Sequence, residues 1–384
     1  MTKPVYILSA ARTPIGSFQG ALSSLSAPEL GAHAIDQAVK ESQLDVDGIS
    51  EGLIGNVIGA GVKQAPARQA LRLAGLPDAC GATTVNKVCG SGMKAAMLAH
   101  DLLLAGSADS VVAGGMESMS NAPFLLPKAR AGLRMGHASL LDAMFLDGLE
   151  DAETGGAMGA FAQDTADGYQ LTRQAMDDYA VESVRRARAA MDSDALSAEI
   201  RPMTIAGTTV SDDEQPLRAR IEKIPTLRPA FKRDGTITAA NASSISDGAS
   251  ALVLSTRTDA VEPLARVAGH YTHSQHPSEF TTAPVGAIAG LLEKLGWQAS
   301  EVDLFEINEA FAMVTMLAIS ELGLDSERVN VYGGACAQGH PIGSTGSRLL
   351  VTLAHALRAN NKRRGIASLC IGGGEATAVA LVRD

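Results

Sequence analysis

Aromatic residues are scarce in this sequence: 4% of its 384 positions, with a single Trp. A core must therefore pack through Ala, Val, Leu and Ile. Dense clusters of Lys and Arg are also missing, and the net charge is −10. An acidic chain repels phosphate backbones, which argues against nucleic acid as a partner. The densest basic runs, Arg185-Arg-Ala-Arg188 and Lys362-Arg-Arg364, read as solvated helix faces. No apolar run reaches the ~18–20 residues of a membrane span, so no membrane partner is expected. No basic and then apolar leader is found: Met1-Thr-Lys-Pro4 runs straight into the strand-like Val5-Tyr-Ile-Leu8. Four cysteines are too few for a disulfide framework, and a reducing, cytoplasmic setting is expected. No GxGxxG follows the first strand and no GxxxxGK[ST] occurs, so neither nucleotide fingerprint applies.

What is present is a chain that is 46% hydrophobic and 19% charged, enough to bury a large core. Its length suggests two or three domains. Gly is abundant, at 39 residues, and gathers in turns beside the residues that could do chemistry. Up to Ser118, short apolar strands alternate with helices: Val5–Leu8, Leu53–Val57, Thr83–Val85 and Ser110–Ala113 are the strand candidates. Ser26-Ala-Pro-Glu29 is a capping box that opens a helix with its apolar face on Leu30, Ala34, Ile35, Ala38 and Val39. Such alternation implies βαβ units and a parallel sheet, an α/β class. From Ser118 to about Ser243 strand signals thin out, and one strong helix covers Arg173–Met191. That segment reads as an insertion covering a site. Alternation resumes near Ala265, with strands expected at Leu304–Ile307, Val329–Val331, Ile366–Cys370 and Ala378–Val382.

The two alternating regions resemble each other. Val85-Asn86 precedes a Gly-rich turn, a Leu-rich helix, a strand and Val112-Ala-Gly-Gly-Met-Glu-Ser118. Val329-Asn330 precedes the same series, ending in Ile371-Gly-Gly-Gly-Glu-Ala-Thr377. An internal duplication would bring the two Gly-rich turns to one interface, a favoured place for a site.

Four positions stand out chemically. Cys89, in Asn86-Lys-Val-Cys-Gly-Ser-Gly92, lies between a strand and a helix start, the layout of a nucleophile elbow. A helix N-terminus there would favour its thiolate. His340, in Gly333-Gly-Ala-Cys-Ala-Gln-Gly-His-Pro-Ile-Gly343, suits a base, since its ordinary pKa is near neutral. Cys370 ends a strand at Ile371-Gly-Gly-Gly374, a turn with free N–H groups for an oxyanion. Asn308 and Glu309 follow the strand Leu304–Ile307, at the end of a parallel strand where ligands bind. Each residue alone has a plain structural alternative: an inert core cysteine, a turn histidine, a helix cap. Cys336, four residues before His340, reads as structural. His270, His273 and His276 mimic metal spacing, but on a strand positions three apart face opposite sides, and no metal is expected.

Together these segments resemble the thiolase family, and within it the acetyl-CoA acetyltransferases. Four blocks carry the likeness: Val85-Asn-Lys-Val-Cys-Gly-Ser-Gly92, Gly114-Gly-Met-Glu-Ser-Met-Ser120, Asn308-Glu-Ala-Phe311, and Gly339-His-Pro-Ile-Gly343 with Cys370-Ile-Gly-Gly-Gly374. The resemblance implies a thiolase fold, two duplicated βαβαβαββ halves in an α-β-α-β-α layering. It places the first half at residues 1–118 plus 244–264, an inserted loop domain at 119–243, and the second half at 265–384. It implies coenzyme A thioesters as substrates, no permanently bound cofactor, and a ping-pong route. By matching position, Cys89 takes the acyl group, His340 withdraws its proton, and Cys370 handles the α-proton of the second acetyl-CoA. Asn308 would hold a water that helps His340 with the enolate oxygen. The N–H groups of Cys89 and Gly372 would hold the acyl oxygen. Coenzyme A would meet Met158, Arg218, Lys223, Phe231, Ala239, Ala242, Ser243, Ala310 and Phe311. The segment Gly132–Gly148 resembles the family's tetramerisation loop, so a homotetramer is expected. Two departures approach the acyl pocket: Ala157 stands where many short-chain members have His, and Phe280-Thr281 replaces a common Met-Gly. Two other functions stay open: a degradative 3-ketoacyl-CoA thiolase of broader chain length, and a non-catalytic, thiolase-like lipid- or CoA-binding protein.

Overall fold

The computed structural model describes residues 3–384, so Met1 and Thr2 of the expected N-terminal lead-in lie outside the described residues. The principal strands are β1 (Tyr6–Arg12), β2 (Glu51–Gly55), β3 (Gly81–Val85), β4 (Ser110–Ser118) and β5 (Ser246–Ser255). They continue with β6 (Ala265–Ser274), β7 (Leu304–Ile307), β8 (Arg364–Ile371) and β9 (Glu375–Val382). β4 and β5 are buried along their whole length. Strands covered on both faces read as unbroken small and apolar runs, as Ala249–Leu254 does, rather than as an alternation.

The strands run in the order β3-β2-β4-β5-β1-β6-β9-β8-β7. In the first five, β2 is parallel to β3 and β4, while β5 is antiparallel to β4 and β1. The last four repeat that plan: β7 is parallel to β8, and β9 is antiparallel to β8 and β6. The halves join where β1 and β6 pair antiparallel through Tyr6–Arg266 and Ile7–Ala265. The duplication read from sequence is therefore a repeated strand order.

One expected strand is missing from the second half. Val329–Val331 makes only a single parallel bridge, from Val329 to Phe305. Asn330 turns into the left-handed region at φ +49°. Its side chain replaces the ladder, accepting from the Ile307 N–H and donating to the Ile307 carbonyl, both at 2.8 Å.

The helices that matter are α1 (Ala27–Ser42), α2 (Pro66–Leu73), α3 (Ser91–Leu104), α4 (Met158–Gly168) and α5 (Arg173–Asp192). They are followed by α6 (Ala283–Leu295), α7 (Ala312–Leu322) and α8 (Thr345–Ala359). The Ser26–Glu29 capping box forms, and the predicted apolar face of α1 is buried. α1 and α2 cover the outer face of the first half, and α6 and α7 that of the second. α3 and α8 pack on each other between the halves, within one core that draws on strands of both. This gives the α-β-α-β-α layering. α4 and α5 belong to the long stretch between β4 and β5, which otherwise holds turns, short helical segments such as Glu214–Arg218 and two short ribbons.

Where α3 and α8 begin, the Gly-rich turns of the two halves touch. A Cβ built on Gly55 would lie 2.7 Å from the Gly343 carbonyl oxygen, 2.7 Å from the Gly92 nitrogen and 2.8 Å from the Ser91 carbonyl carbon. Only glycine fits, and the contact sets the Cys89 turn directly against the His340 loop.

Candidate active site

The Cys89 turn is held by its own side chains. Asn86 Oδ1 accepts from the Val88 N–H at 3.0 Å, and Ser91 Oγ accepts from the Lys87 N–H at 2.8 Å. Val88 sits at φ +48°. A β-branched residue there is strained, at a cost of about 1–3 kcal/mol, and such strain clusters at functional turns. The turn leaves Cys89 half-buried, just before the start of α3.

Burial pushes the Cys89 thiol up to about 11, against the backbone N–H groups of Gly372 and of Cys89 itself. The lowering expected from the helix start is therefore overruled by desolvation. The same two N–H groups are the ones expected to hold an acyl oxygen.

His340 is buried in its loop. Its N–H donates to the Ser244 carbonyl at 3.1 Å and to Ser246 Oγ at 3.3 Å. The ring tautomer follows from Thr345. That hydroxyl donates to the Pro341 carbonyl at 3.0 Å, so it accepts from His340 Nδ1–H at 2.6 Å. Nε2 then carries the free lone pair, and it has no partner among the described residues. Burial, and then the Arg348 charge, pull His340 down to about 3, far from the near-neutral value expected from its residue type. Sequence reading gave Arg348 no role. It is fully buried on α8 and pairs with Glu306 at 3.4 Å.

Cys370 is fully buried at the end of β8. Burial and the neighbouring Cys89 push its thiol well above the ordinary range. Asn308 is fully buried after β7, and neither its Nδ2 nor its Oδ1 is bonded by another described residue. Its neighbour Glu309 is spent structurally. It accepts from Tyr179 at 3.0 Å, Ser183 at 2.7 Å, Asn330 at 2.8 Å and the Cys336 N–H at 3.1 Å.

Cys89, His340 and Gly372 open on one cavity of about 440 Å³. Among the residues expected to meet coenzyme A, Met158, Phe231, Ala239, Ala242, Ser243, Ala310 and Phe311 line it too. Arg218 and Lys223 do not: both are exposed outside it, and Arg218 pairs with Glu214 at 3.0 Å. Ala157 and Phe280 are in the wall, as the two departures suggested. Phe280 is buried and stacks edge-on against Phe311 at 6.5 Å. Met119, Phe145, Leu149 and Ile342 complete an apolar wall that sequence reading did not assemble. Their signal is weak because they come from three separate segments.

Glu117 was visible only as part of a block. It is buried in β4 and accepts from Asn56 Nδ2 at 2.8 Å and from the N–H groups of Val57 at 3.0 Å, Ile58 at 3.2 Å and Gly343 at 2.9 Å. A carboxylate amid small apolar strand residues was the available clue. It ties the His340 loop to the segment after β2.

The thiolase N-terminal domain model matches residues 5–258, and the thiolase C-terminal domain model matches residues 261–383. The chain belongs to the thiolase family. A thiolase from Escherichia coli K12 named acetyl-CoA acetyltransferase is 45% identical, across 99% of each chain. One from Dictyostelium discoideum, named a probable acetyl-CoA acetyltransferase, is 45% identical across 98% of this chain and 93% of its own. A thiolase from Ascaris suum, solved in complex with coenzyme A, superposes with a TM-score of 0.95 at 42% identity, and the match covers both chains fully. This thiolase is an acyltransferase enzyme. No helix among the described residues is long and apolar enough to cross a membrane.

Proposed function

We propose that the chain is an acetyl-CoA C-acetyltransferase that interconverts acetoacetyl-CoA and two acetyl-CoA through an acyl group on Cys89. One observation carries the reading: a thiol, a free imidazole nitrogen and two backbone N–H donors meet in a single apolar cavity, with a second thiol buried beside the first. Cys89 Sγ attacks the thioester carbonyl while His340 Nε2 takes the thiol proton. The N–H groups of Cys89 and Gly372 hold the developing oxyanion; losing one such donor costs about 2.7–4 kcal/mol of barrier. Coenzyme A leaves with a proton from Cys370, which is left as the thiolate, while His340 keeps the Cys89 proton on Nε2. In the condensing direction, Cys370 removes the α-proton of acetyl-CoA. Asn308, through a water, and His340 hold the enolate oxygen. The enolate carbon then bonds to the acyl carbon and Cys89 departs, taking its proton back from His340.

The apolar wall suits the pantetheine arm, with Met158, Phe231, Ala239, Ala242, Ser243, Ala310 and Phe311 along it. Arg218 and Lys223 lie on the exposed surface of the 119–243 segment, where a loop domain would meet the coenzyme A phosphates. A reducing compartment such as the cytoplasm suits the chemistry, since all four cysteines are free and two must stay thiols. Exposed Leu133, Met135 and Leu140 within Gly132–Gly148 support a homotetramer; light scattering that gives a monomer at working concentration would refute it.

The test compares CoA-dependent cleavage of acetoacetyl-CoA and 3-ketooctanoyl-CoA. Strong preference for the C4 substrate is expected, because Phe280 closes the wall. Equal C8 turnover would assign the broader degradative reading, which the small Ala157 in the same wall favours. Cys89→Ala must form no acyl adduct by intact mass, whereas Cys370→Ala must acylate and fail to condense. A Cys89→Ala protein that still acylates would overturn the mechanism.

A further inference from the structure

The histidine spacing on β6 fails as a metal site on its own. His273 turns to Gln275 at 3.0 Å and His276 to Ser278 at 2.8 Å. His270 instead meets the last turns of α3. Its Nε2 lies 2.9 Å from Asp101 Oδ1, and His100 Nδ1 lies 3.4 Å from the same oxygen. The two rings stand edge-on, 88° apart with centroids 5.2 Å apart. One donor atom from each residue lies within 4.8 Å of the others.

Two of those separations, 2.9 and 3.4 Å, are close to those of a chelate, and the third lies within 4.8 Å. A tetrahedral ion bonded at ~2.0–2.1 Å holds its ligand atoms roughly 3.3 Å apart. Two imidazoles and one carboxylate, with a position left for water, suit a late first-row divalent cation rather than calcium or magnesium. His100 is buried, His270 is half-buried and Asp101 is exposed, so the site is anchored by the fold and open on one side. The active site lies elsewhere: Cys89 precedes the first turn of α3, and His100 lies ten residues along it, roughly 15 Å at the helical rise. Lys294 Nζ, bonded to the His270 carbonyl at 3.0 Å, is the competing cation at this cluster.

We propose that His100, Asp101 and His270 form a zinc-class divalent metal site that braces the two halves of the molecule, α3 from the first half and β6 from the second. An ion held there binds the folded chain and not the unfolded one, so it raises the melting temperature by mass action. Lys294 opposes it through charge, so its removal tightens binding.

Cobalt(II) is the probe, added to reduced, metal-free protein. The expected result is one equivalent bound, visible d–d bands with no near-ultraviolet thiolate charge-transfer band, and a raised melting temperature. His270→Asn weakens binding at least about tenfold, the range seen when even supporting groups of a metal site are lost. That variant keeps wild-type acetoacetyl-CoA thiolysis. Lys294→Gln strengthens binding. Should His270→Asn fold poorly, Asp101→Asn, at an exposed position, gives the same comparison. No uptake at millimolar cobalt, uptake unchanged in both variants, or a thiolate band placing the ion on the cysteines would each overturn the proposal.

Discussion

Gly55→Ala isolates the contact that sets the two catalytic loops side by side. Gly55 does not have a positive φ, so alanine meets no backbone strain there. Alone, that would favour the variant by about 0.4–1 kcal/mol through the unfolded state. The contacts decide otherwise. The new methyl would sit 2.7 Å from Gly343 O and from Gly92 N, against an ordinary contact limit of 3.4 Å. All three nearest atoms are backbone, so no side chain can swing away. The Cys89 turn and the His340 loop must separate by about 0.7 Å between them. Overpacking of this kind costs about 1–3 kcal/mol, which exceeds the entropic gain.

The catalytic effect should be larger than the stability effect. Catalytic groups need placement to about 0.5 Å, and a 1 Å error can cost about a hundredfold. We expect kcat for acetoacetyl-CoA thiolysis to fall roughly 10–100-fold, with the melting temperature down by only a few degrees. Steady-state kinetics and thermal unfolding check this. Gly48→Ala is the control, since Gly48 is exposed and a Cβ there meets nothing within 4 Å. Wild-type kcat and melting temperature in Gly55→Ala would refute the claim that this contact positions the two loops.

Iodoacetamide should alkylate Cys89 at a rate that rises about tenfold per pH unit from pH 7 to 9, because burial holds the thiol near 11. A plateau below pH 8 would show a standing thiolate–imidazolium pair and refute the neutral resting state. Glu117→Gln should destabilise the fold by about 1–3 kcal/mol, since an amide NH₂ must face N–H groups that now meet an oxygen. Burial raises Glu117 to about 7, above the ordinary 4.5. Its share of stability is therefore present in acid and lost as pH rises through 7. A pH–stability slope identical in wild type and Glu117→Gln would refute that assignment.

How much of this was legible varies with how local the signal is. The α1 cap, the long helix from Arg173 and the turns around Cys89 and His340 are encoded within a dozen residues each. They formed where expected, and the helix ran one residue further, to Asp192. β5 carried no period-2 pattern because both its faces are buried, so it hid as an apolar run. Val329–Val331 looked like a strand by composition, yet Asn330 spends its side chain on the Ile307 peptide groups. The pKa values of Cys89 and His340 were the least legible. Residue type and helix position suggested a reactive pair, but desolvation depends on distant segments that close the cavity. His100 and His270 were equally hidden: 170 residues separate them, and only the packing of α3 on the second half joins them.

The two perturbed groups together constrain the order of events at Cys89. With burial raising the thiol to about 11 and lowering the imidazolium to about 3, moving the proton before any bond to carbon forms is uphill. A turnover of ~10 s⁻¹ allows a total barrier of roughly 16 kcal/mol. Forming the ion pair first would take a share of that before any bond to carbon is made. The cost falls if charge never rests on sulfur. As Sγ bonds to the thioester carbon, negative charge passes to the carbonyl oxygen, where the N–H groups of Gly372 and Cys89 already point. Proton transfer to Nε2 is then driven by bond formation and not by the acidity of the thiol. The same logic separates the two cysteines. Cys89 has backbone donors and a cavity beside it; Cys370 has burial and the Cys89 charge against ionisation. That charge exists only once Cys89 ionises, and Cys89 is neutral at rest, so acylation removes none. In the proposed route Cys370 instead ionises by passing its proton to the departing coenzyme A sulfur, which leaves a thiolate at the step where a second base is required.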